Sequence, residues 1–158
     1  MTSLGISIGS TRTGVCVLKD SELLDWQIHD FRMAWSDHKL QIIINLYKQY
    51  IQKHKVTSII VKMPPLKTHT KAITQIRKRI EVLAKAHNCT YTSITKSDIK
   101  RLSNLRNTNS LIDYARMRYP VLVHVFEKGV HNEHRYYKKL YEAVLSAHLL
   151  KEGQITIT

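Results

Sequence analysis

The stretch Leu4-Gly5-Ile6-Ser7-Ile8-Gly9-Ser10-Thr11-Arg12-Thr13-Gly14-Val15-Cys16-Val17-Leu18 decides how the chain is read. Two short apolar runs, Leu4 to Ile8 and Val15 to Leu18, flank a polar segment bounded by Gly9 and Gly14. Glycine tolerates the backbone angles of a tight turn, so the stretch predicts two strands joined by one. After a break at Lys19-Asp20-Ser21, the run Leu23 to Phe31 carries Leu24, Trp26 and Ile28 in partial alternation. Three strands with short connections predict an antiparallel meander.

Working outward, the period changes to that of helices. Ser36 is a candidate N-cap, and Asp37 suits the positive end of a helix. Leu40, Ile43, Ile44, Tyr47 and Ile51 recur at helical spacing, which predicts a helix over 37–54. Val56 to Val61 is compact and rich in β-branched residues, the pattern of a buried parallel strand, and Pro64-Pro65 closes it. A second helix is expected from about Leu66 to His87, with Ile73, Ile76, Ile80, Leu83 and Ala84 on one face. Thr90 to Thr95 alternates as a strand, and Lys96 to Leu102 reads as a short helix capped by Thr95 or Ser97. Asn107-Thr108-Asn109 opens a further helix that Pro120 closes. Residues 121–131 read as irregular, with Val121 to Phe126 as a candidate strand. A last helix is expected over 132–151, with Val144, Leu145, His148 and Leu149 as its buried stripe. Residues 154–158 are an edge strand or a tail. This order implies an α/β fold in which a mixed five-stranded sheet is covered by helices, with residues 1–158 forming one domain.

Composition narrows the class of function. With 25 Lys and Arg against 12 Asp and Glu, the 158-residue chain carries a net charge of +13. Such a surplus attracts polyanions, so nucleic acid is the expected partner. Five glycines and three prolines are too few for a low-complexity chain. No apolar run approaches the ~20 residues that cross a bilayer, so no membrane association is expected. Met1-Thr2-Ser3-Leu4-Gly5 lacks the basic start of an export leader. Cys16 and Cys89 are accordingly expected as reduced thiols in the cytoplasm. From Leu66 to Arg106 ten basic residues (Lys67, Lys71, Arg77, Lys78, Arg79, Lys85, Lys96, Lys100, Arg101, Arg106) stand against Glu81 and Asp98, a local charge of +8. Lys71, Lys78 and Lys85 repeat every seven residues and so share one helix face. That face suits a phosphate backbone, or is simply solvated.

The opening stretch resembles the RuvC-like branch of the ribonuclease H superfamily, whose first segment reads L-G-I-D-P-G-S-x-x-T-G. Gly5, Ile6, Gly9, Ser10, Thr13 and Gly14 fall in register with it. The element order follows the same branch from Leu4 to about Leu150. The resemblance implies a ribonuclease H-like fold and kinship with metal-dependent junction nucleases, in which carboxylates hold two Mg²⁺ ions. Carried over position by position, the first-strand aspartate falls on Ser7 and the fourth-strand glutamate on Lys62. The two acids of the last helix fall on Lys139 and Glu142, within Lys139-Leu140-Tyr141-Glu142-Ala143-Val144-Leu145-Ser146-Ala147. Glu142 is the only acid retained. Unit charges 4 Å apart interact by about 4 kcal/mol at an effective dielectric near 20, and a divalent ion would feel about twice that beside a lysine.

The expectation is therefore a catalytically degenerate protein without a cofactor. It would bind branched or structured DNA through Lys62, Lys67, Lys71, Lys78, Lys85, Lys96, Lys100, Arg101, Arg106 and Lys139. Two alternatives stand beside it. One is an active Mg²⁺-dependent endonuclease with shifted ligands, Glu142 with Asp20, Asp98 or Asp113. The other is a protein–protein interaction module, and the superfamily's tendency to pair makes a homodimer a state to test. Ser7 has no readable histidine and acid partners, so a serine nucleophile is unsupported. His131, His134 and His148 lack the supporting ligands of a zinc site, and His148 reads as core. Lys138 and Glu142, four apart, read as a surface ion pair. Tyr136, Tyr137 and Tyr141 interleave with Arg135, Lys138 and Lys139, which suits either base stacking or core packing.

Overall fold

The computed structural model describes residues 1–122 and 133–155, without the side chains of residues 133–136. Its five strands are β1 (Thr2–Ser7), β2 (Arg12–Lys19), β3 (Glu22–Asp30), β4 (Ser58–Met63) and β5 (Thr90–Thr95). They form one sheet in the order β3-β2-β1-β4-β5. β1, β2 and β3 make the antiparallel meander, and β4 and β5 add in parallel. The helices are α1 (Asp37–His54), α2 (Lys71–Ala86), α3 (Lys96–Ser103), α4 (Thr108–Arg118) and α5 (Glu133–Lys151). The mixed, helix-covered sheet is the one the order of elements predicts.

Alternation along the central strands builds two cores. Leu4, Ile6, Ile8, Ile59, Val61 and Met63 pack with apolar residues of α1 and α2 on one face. Cys16, Leu18 and Ile60 pack with α3, α4 and α5 on the other. Burial on both faces explains why β1 and β4 are buried along their whole length. Among the described residues no helix is long and apolar enough to cross a membrane. Cys16 and Cys89 are both free thiols.

Local chemistry sets the boundaries. The Ser36 hydroxyl accepts from Lys39 N–H at 3.0 Å and caps α1. Thr95 and Asp98 form a reciprocal capping box at α3, and the Asn107 side chain caps α4. α2 starts later than the apolar spacing suggests. Pro65 sits at φ −55°, ψ 146°, outside the helical region, and Leu66–Thr68 forms a separate 3₁₀ turn. The Thr70 hydroxyl then accepts from Ile73 N–H and becomes the N-cap. β4 lies two residues later than expected, which brings Lys62 inside the strand. Val121 and Leu122 belong to a 3₁₀ turn opened by Pro120 rather than to a strand, and the rest of that candidate strand lies outside the described residues. Gln154 and Ile155 are not in a strand, and 156–158 lie outside the described residues.

α5 lies directly on the backbone of β1 and β2. A Cβ on Gly5 would come within 2.3 Å of the Ala143 carbonyl oxygen, and one on Gly14 within 2.4 Å of the Lys139 carbonyl. Only glycine permits that approach, and Ala143 and Ala147 keep the facing side of α5 small. Gly14→Ala is expected to cost about 1–3 kcal/mol, because backbone rather than a flexible side chain must move. Thermal unfolding should show a fall in Tm of several degrees, roughly 2–4 °C per kcal/mol at this size. Val82→Ala, on the exposed side of α2, should leave Tm nearly unchanged.

Candidate nucleic-acid interface

The C-terminal ends of β1 and β4 lie side by side. Ser7 is in register with Gly14 of β2 and with Lys62 of β4, and Lys62 with Ile94 of β5. Ile6 and Ile8 point into the α1/α2 core, so the period of two turns Ser7 towards α5. Val61 and Met63 do the same for Lys62. On α5, Lys139 and Glu142 are three residues apart and share the face that meets this row. Thr13 fixes the strand ends. Its hydroxyl donates to Ser7 O at 3.1 Å and, having spent its proton, accepts from the Tyr47 hydroxyl of α1 at 2.8 Å.

Ser7, Lys62 and Glu142 meet in a buried cluster. Lys62 Nζ lies 2.8 Å from Glu142 Oε2, with the two side chains only 6% and 4% exposed. The contact is an ion pair whose angles are not those of a hydrogen bond. The Ser7 hydroxyl donates to Glu142 Oε1 at 3.4 Å, a long bond. Lys139 Nζ donates to Ile8 O at 3.0 Å. A Cβ on Gly9 would stand 3.1 Å from that nitrogen, so the glycine leaves room for the amine. Burial, reinforced by the Lys62 charge and opposed by Glu142, pushes the Lys139 amine down to about 8.

The cluster opens onto a cleft of about 550 Å³. The β1–β2 turn contributes Gly9, Ser10 and Thr11, the start of β2 contributes Arg12, the β4–α2 connection contributes Pro65, Thr68 and Thr70, and α5 contributes Lys138, Lys139 and Glu142. Arg12 donates to Asp30 at 2.7 Å. Lys138 lies beside Lys96, which donates to the Thr108 hydroxyl at 2.8 Å. Burial, with Lys138 next to it, lowers the Lys96 amine to about 8.

The folded chain thus gathers Ser7, Lys62, Lys139 and Glu142 at one site. It adds Arg12 and Lys138, which the sequence reading did not assign to the cleft. The signal for Arg12 was its place inside the glycine-bounded turn. Lys138 was expected to pair with Glu142 on the surface, but Glu142 is buried and held by Lys62. Lys67 lies in the 3₁₀ turn and Lys71 opens α2, each next to residues that line the cleft, and both are exposed. Lys78 and Lys85 are exposed about 10 and 21 Å further along α2. Lys96, Lys100 and Arg101 belong to α3, on the opposite face of the sheet from α2, and Arg106 is exposed in the segment between α3 and α4. The charge of +8 is therefore divided over two faces. Arg101 is paired with Asp98 at 3.4 Å. His148 is a core histidine, accepting from or donating to Tyr119 at 2.8 Å and Tyr114 at 3.3 Å. Tyr141 is buried and Tyr137 packs on the α5 core, while Tyr136 and His134 side chains and all of His131 lie outside the described residues.

Strand order, the β1–β4 cleft and the helix laid across the meander define a ribonuclease H-like fold. In fold the chain is similar to Thermus thermophilus RuvC, with a TM-score of 0.77 at 12% identity over all of both chains. It is similar to the same protein solved in complex with a Holliday junction substrate, with a TM-score of 0.76, again at 12% identity and full coverage. No family model and no curated protein sequence matches the chain.

Removing one partner of a buried ion pair strands the other charge. Lys62→Met or Glu142→Leu alone is expected to cost about 3–5 kcal/mol, and the double variant should recover most of that loss. Denaturant unfolding of the three variants would measure it. Equal losses that add in the double variant would show that the pair is not coupled.

Proposed function

We propose that the protein binds nucleic acid, with branched or structured DNA as the preferred form, in the cleft at the ends of β1 and β4, and that it does so without metal-dependent cleavage. The Lys62–Glu142 ion pair carries this reading. Among the described residues Glu142 is the one carboxylate lining the cleft, and an ammonium already holds it at 2.8 Å. Mg²⁺ needs several oxygen ligands with negative charge among them. This donor set offers one carboxylate, already paired with Lys62, and otherwise only neutral hydroxyls (Ser7 beside it, Ser10, Thr11, Thr68 and Thr70 along the cleft), facing Lys138, Lys139 and Arg12. The residues present do not fit a divalent ion.

The acids considered as substitute ligands are engaged elsewhere or exposed. Asp20 pairs with the Met1 amino group at the other end of β1, about 20 Å away along the strand. Asp98 closes the α3 capping box, and Asp113 is exposed on α4. Among the described residues no three His, Cys, Asp or Glu side chains are placed to share a metal.

Cations that repel Mg²⁺ attract phosphate. Lys138, Lys139 and Arg12 line the cleft, and Lys67 and Lys71 extend positive charge from it onto α2. Branched DNA is preferred in this reading because a structural neighbour was solved with a Holliday junction substrate. Residues 1–158 act as one unit in it.

Filter binding across a salt series tests the reading. With four or five phosphate contacts, log K should fall with log salt with a slope of roughly −4. A four-way junction should bind more tightly than linear duplex or RNA. A flat salt response would defeat the proposal. Cleavage of a junction with Mn²⁺, abolished by Glu142→Gln, would replace it with the nuclease reading. Capture of an acidic protein that survives nuclease treatment, with no DNA binding, would favour the interaction module.

The two lowered amines add a pH dependence. Lys139 and Lys96 lose their protons near pH 8, so the affinity for DNA should fall between pH 7 and pH 9.5. A bound phosphate favours the charged amines, so binding at pH 8 should take up protons. Calorimetry in buffers of different ionisation enthalpy measures that uptake.

A further inference from the structure

We propose that Lys139 is a nucleophilic amine that captures an aldehyde, specifically the ring-opened sugar of an abasic site in DNA, as an imine. This rests on the reading of the cleft as a DNA-binding site and adds a covalent step to it.

Lys139 Nζ reaches across the end of the sheet and donates to Ile8 O at 3.0 Å. The carbonyl takes an N–H and leaves the rest of the nitrogen for other partners. Gly9, with no Cβ, clears the space beside it, and the amine lines the open cleft rather than the closed core.

The neighbours of the amine are mostly cationic. Lys62 faces it from β4, Arg12 from the β1–β2 end of the sheet, and Lys138 from its own helix, while Glu142 is the single nearby acid. Glu142 is tied to Lys62 and Ser7. A lysine that is partly desolvated and ringed by other cations is favoured in its neutral form, which is the nucleophile in imine chemistry. The lowering of its proton affinity to about 8 agrees with that placement.

The electrophile follows from the ligand. Intact DNA holds no carbonyl that an amine can condense with at its backbone, whereas an abasic deoxyribose opens to an aldehyde at C1′. The Nζ lone pair attacks C1′ and gives a carbinolamine. Loss of water, with the oxygen leaving as hydroxyl plus one proton, forms the C=N bond. No oxidant, reductant or metal is required. Phosphates on either side of the missing base would meet Lys138 and Arg12, which line the same cleft.

Other amines provide internal controls. The Met1 amino group pairs with Asp20 at the opposite end of β1. Lys67, Lys71 and Lys78 are exposed side chains on the α2 side.

The test is borohydride trapping with the full chain and a duplex carrying one abasic site, at protein concentrations that saturate binding. Hydride addition to the imine carbon gives a stable secondary amine, seen as a protein–DNA band on a denaturing gel. Peptide mass mapping of the wild-type adduct should place it on Lys139. Lys139→Arg should reduce trapping at least tenfold while Lys19→Arg, at the far end of β2, retains it, and trapping should rise from pH 7 to pH 8.5. An adduct on Met1, or one spread over Lys67, Lys71 and Lys78, would overturn the proposal. Absence of any adduct would overturn it as well. Binding of the wild-type chain to the intact and abasic duplexes is measured in parallel. Tight binding without trapping would sink only the imine step, and no binding to either duplex would sink the DNA-binding reading beneath it.

Discussion

The organisation of this protein depends on one close approach, that of helix α5 to the backbone of β1 and β2. Gly5 and Gly14 provide no side chain where the helix crosses, and carbonyl groups of α5 occupy the space that a Cβ would need. The helix is thereby held deep against the sheet. Its buried stripe, from Leu140 to Leu150, forms much of the second core. The same approach brings Lys139 and Glu142 to the ends of β1 and β4. A helix held further out by even one methyl group would lift both side chains away from Ser7 and Lys62.

That geometry would serve a metal site if the row held carboxylates. It holds a hydroxyl, two ammoniums and one acid, so the electrostatics run the other way. The acid is consumed inside the cluster by Lys62. What faces the cleft is the remaining positive charge of Lys138, Lys139 and Arg12, partly relieved by the Arg12–Asp30 pair. Burial makes this charge costly, which is why the Lys139 amine holds its proton less firmly than a solvated lysine. The scaffold is thus consistent in shape with its structural neighbours, and its own cleft is lined by more cations than acids.

The meander, the parallel strands and most helices were legible because they rest on local signals. Period-two and period-3.6 patterns, and caps such as Ser36, Thr95 and Asn107, act within a few residues of where they stand in sequence. The start of α2 was missed because Ile73, Ile76 and Ile80 give a helical period with no marker of where it begins. The contest between Pro65 and Thr70 decides it. The site positions Ser7, Lys62, Lys139 and Glu142 were nameable through the likeness of the opening stretch to a known pattern. Their partners were not. Lys138 and Glu142 are four apart, the spacing of a surface pair, and nothing local reveals that Glu142 turns inward to Lys62.

By itself the sequence determined the order and type of the elements and the excess of positive charge, because each is a property of short segments or of simple counts. Only the tertiary structure decided which charges share a space. Two sheet faces separate the α2 lysines from those of α3, although all lie within one basic stretch. Strand register and the seating of α5 join Ser7, Lys62, Lys139 and Glu142 across more than a hundred residues of chain. Coulomb interaction and desolvation depend on distance and burial, and neither is fixed until the chain has folded.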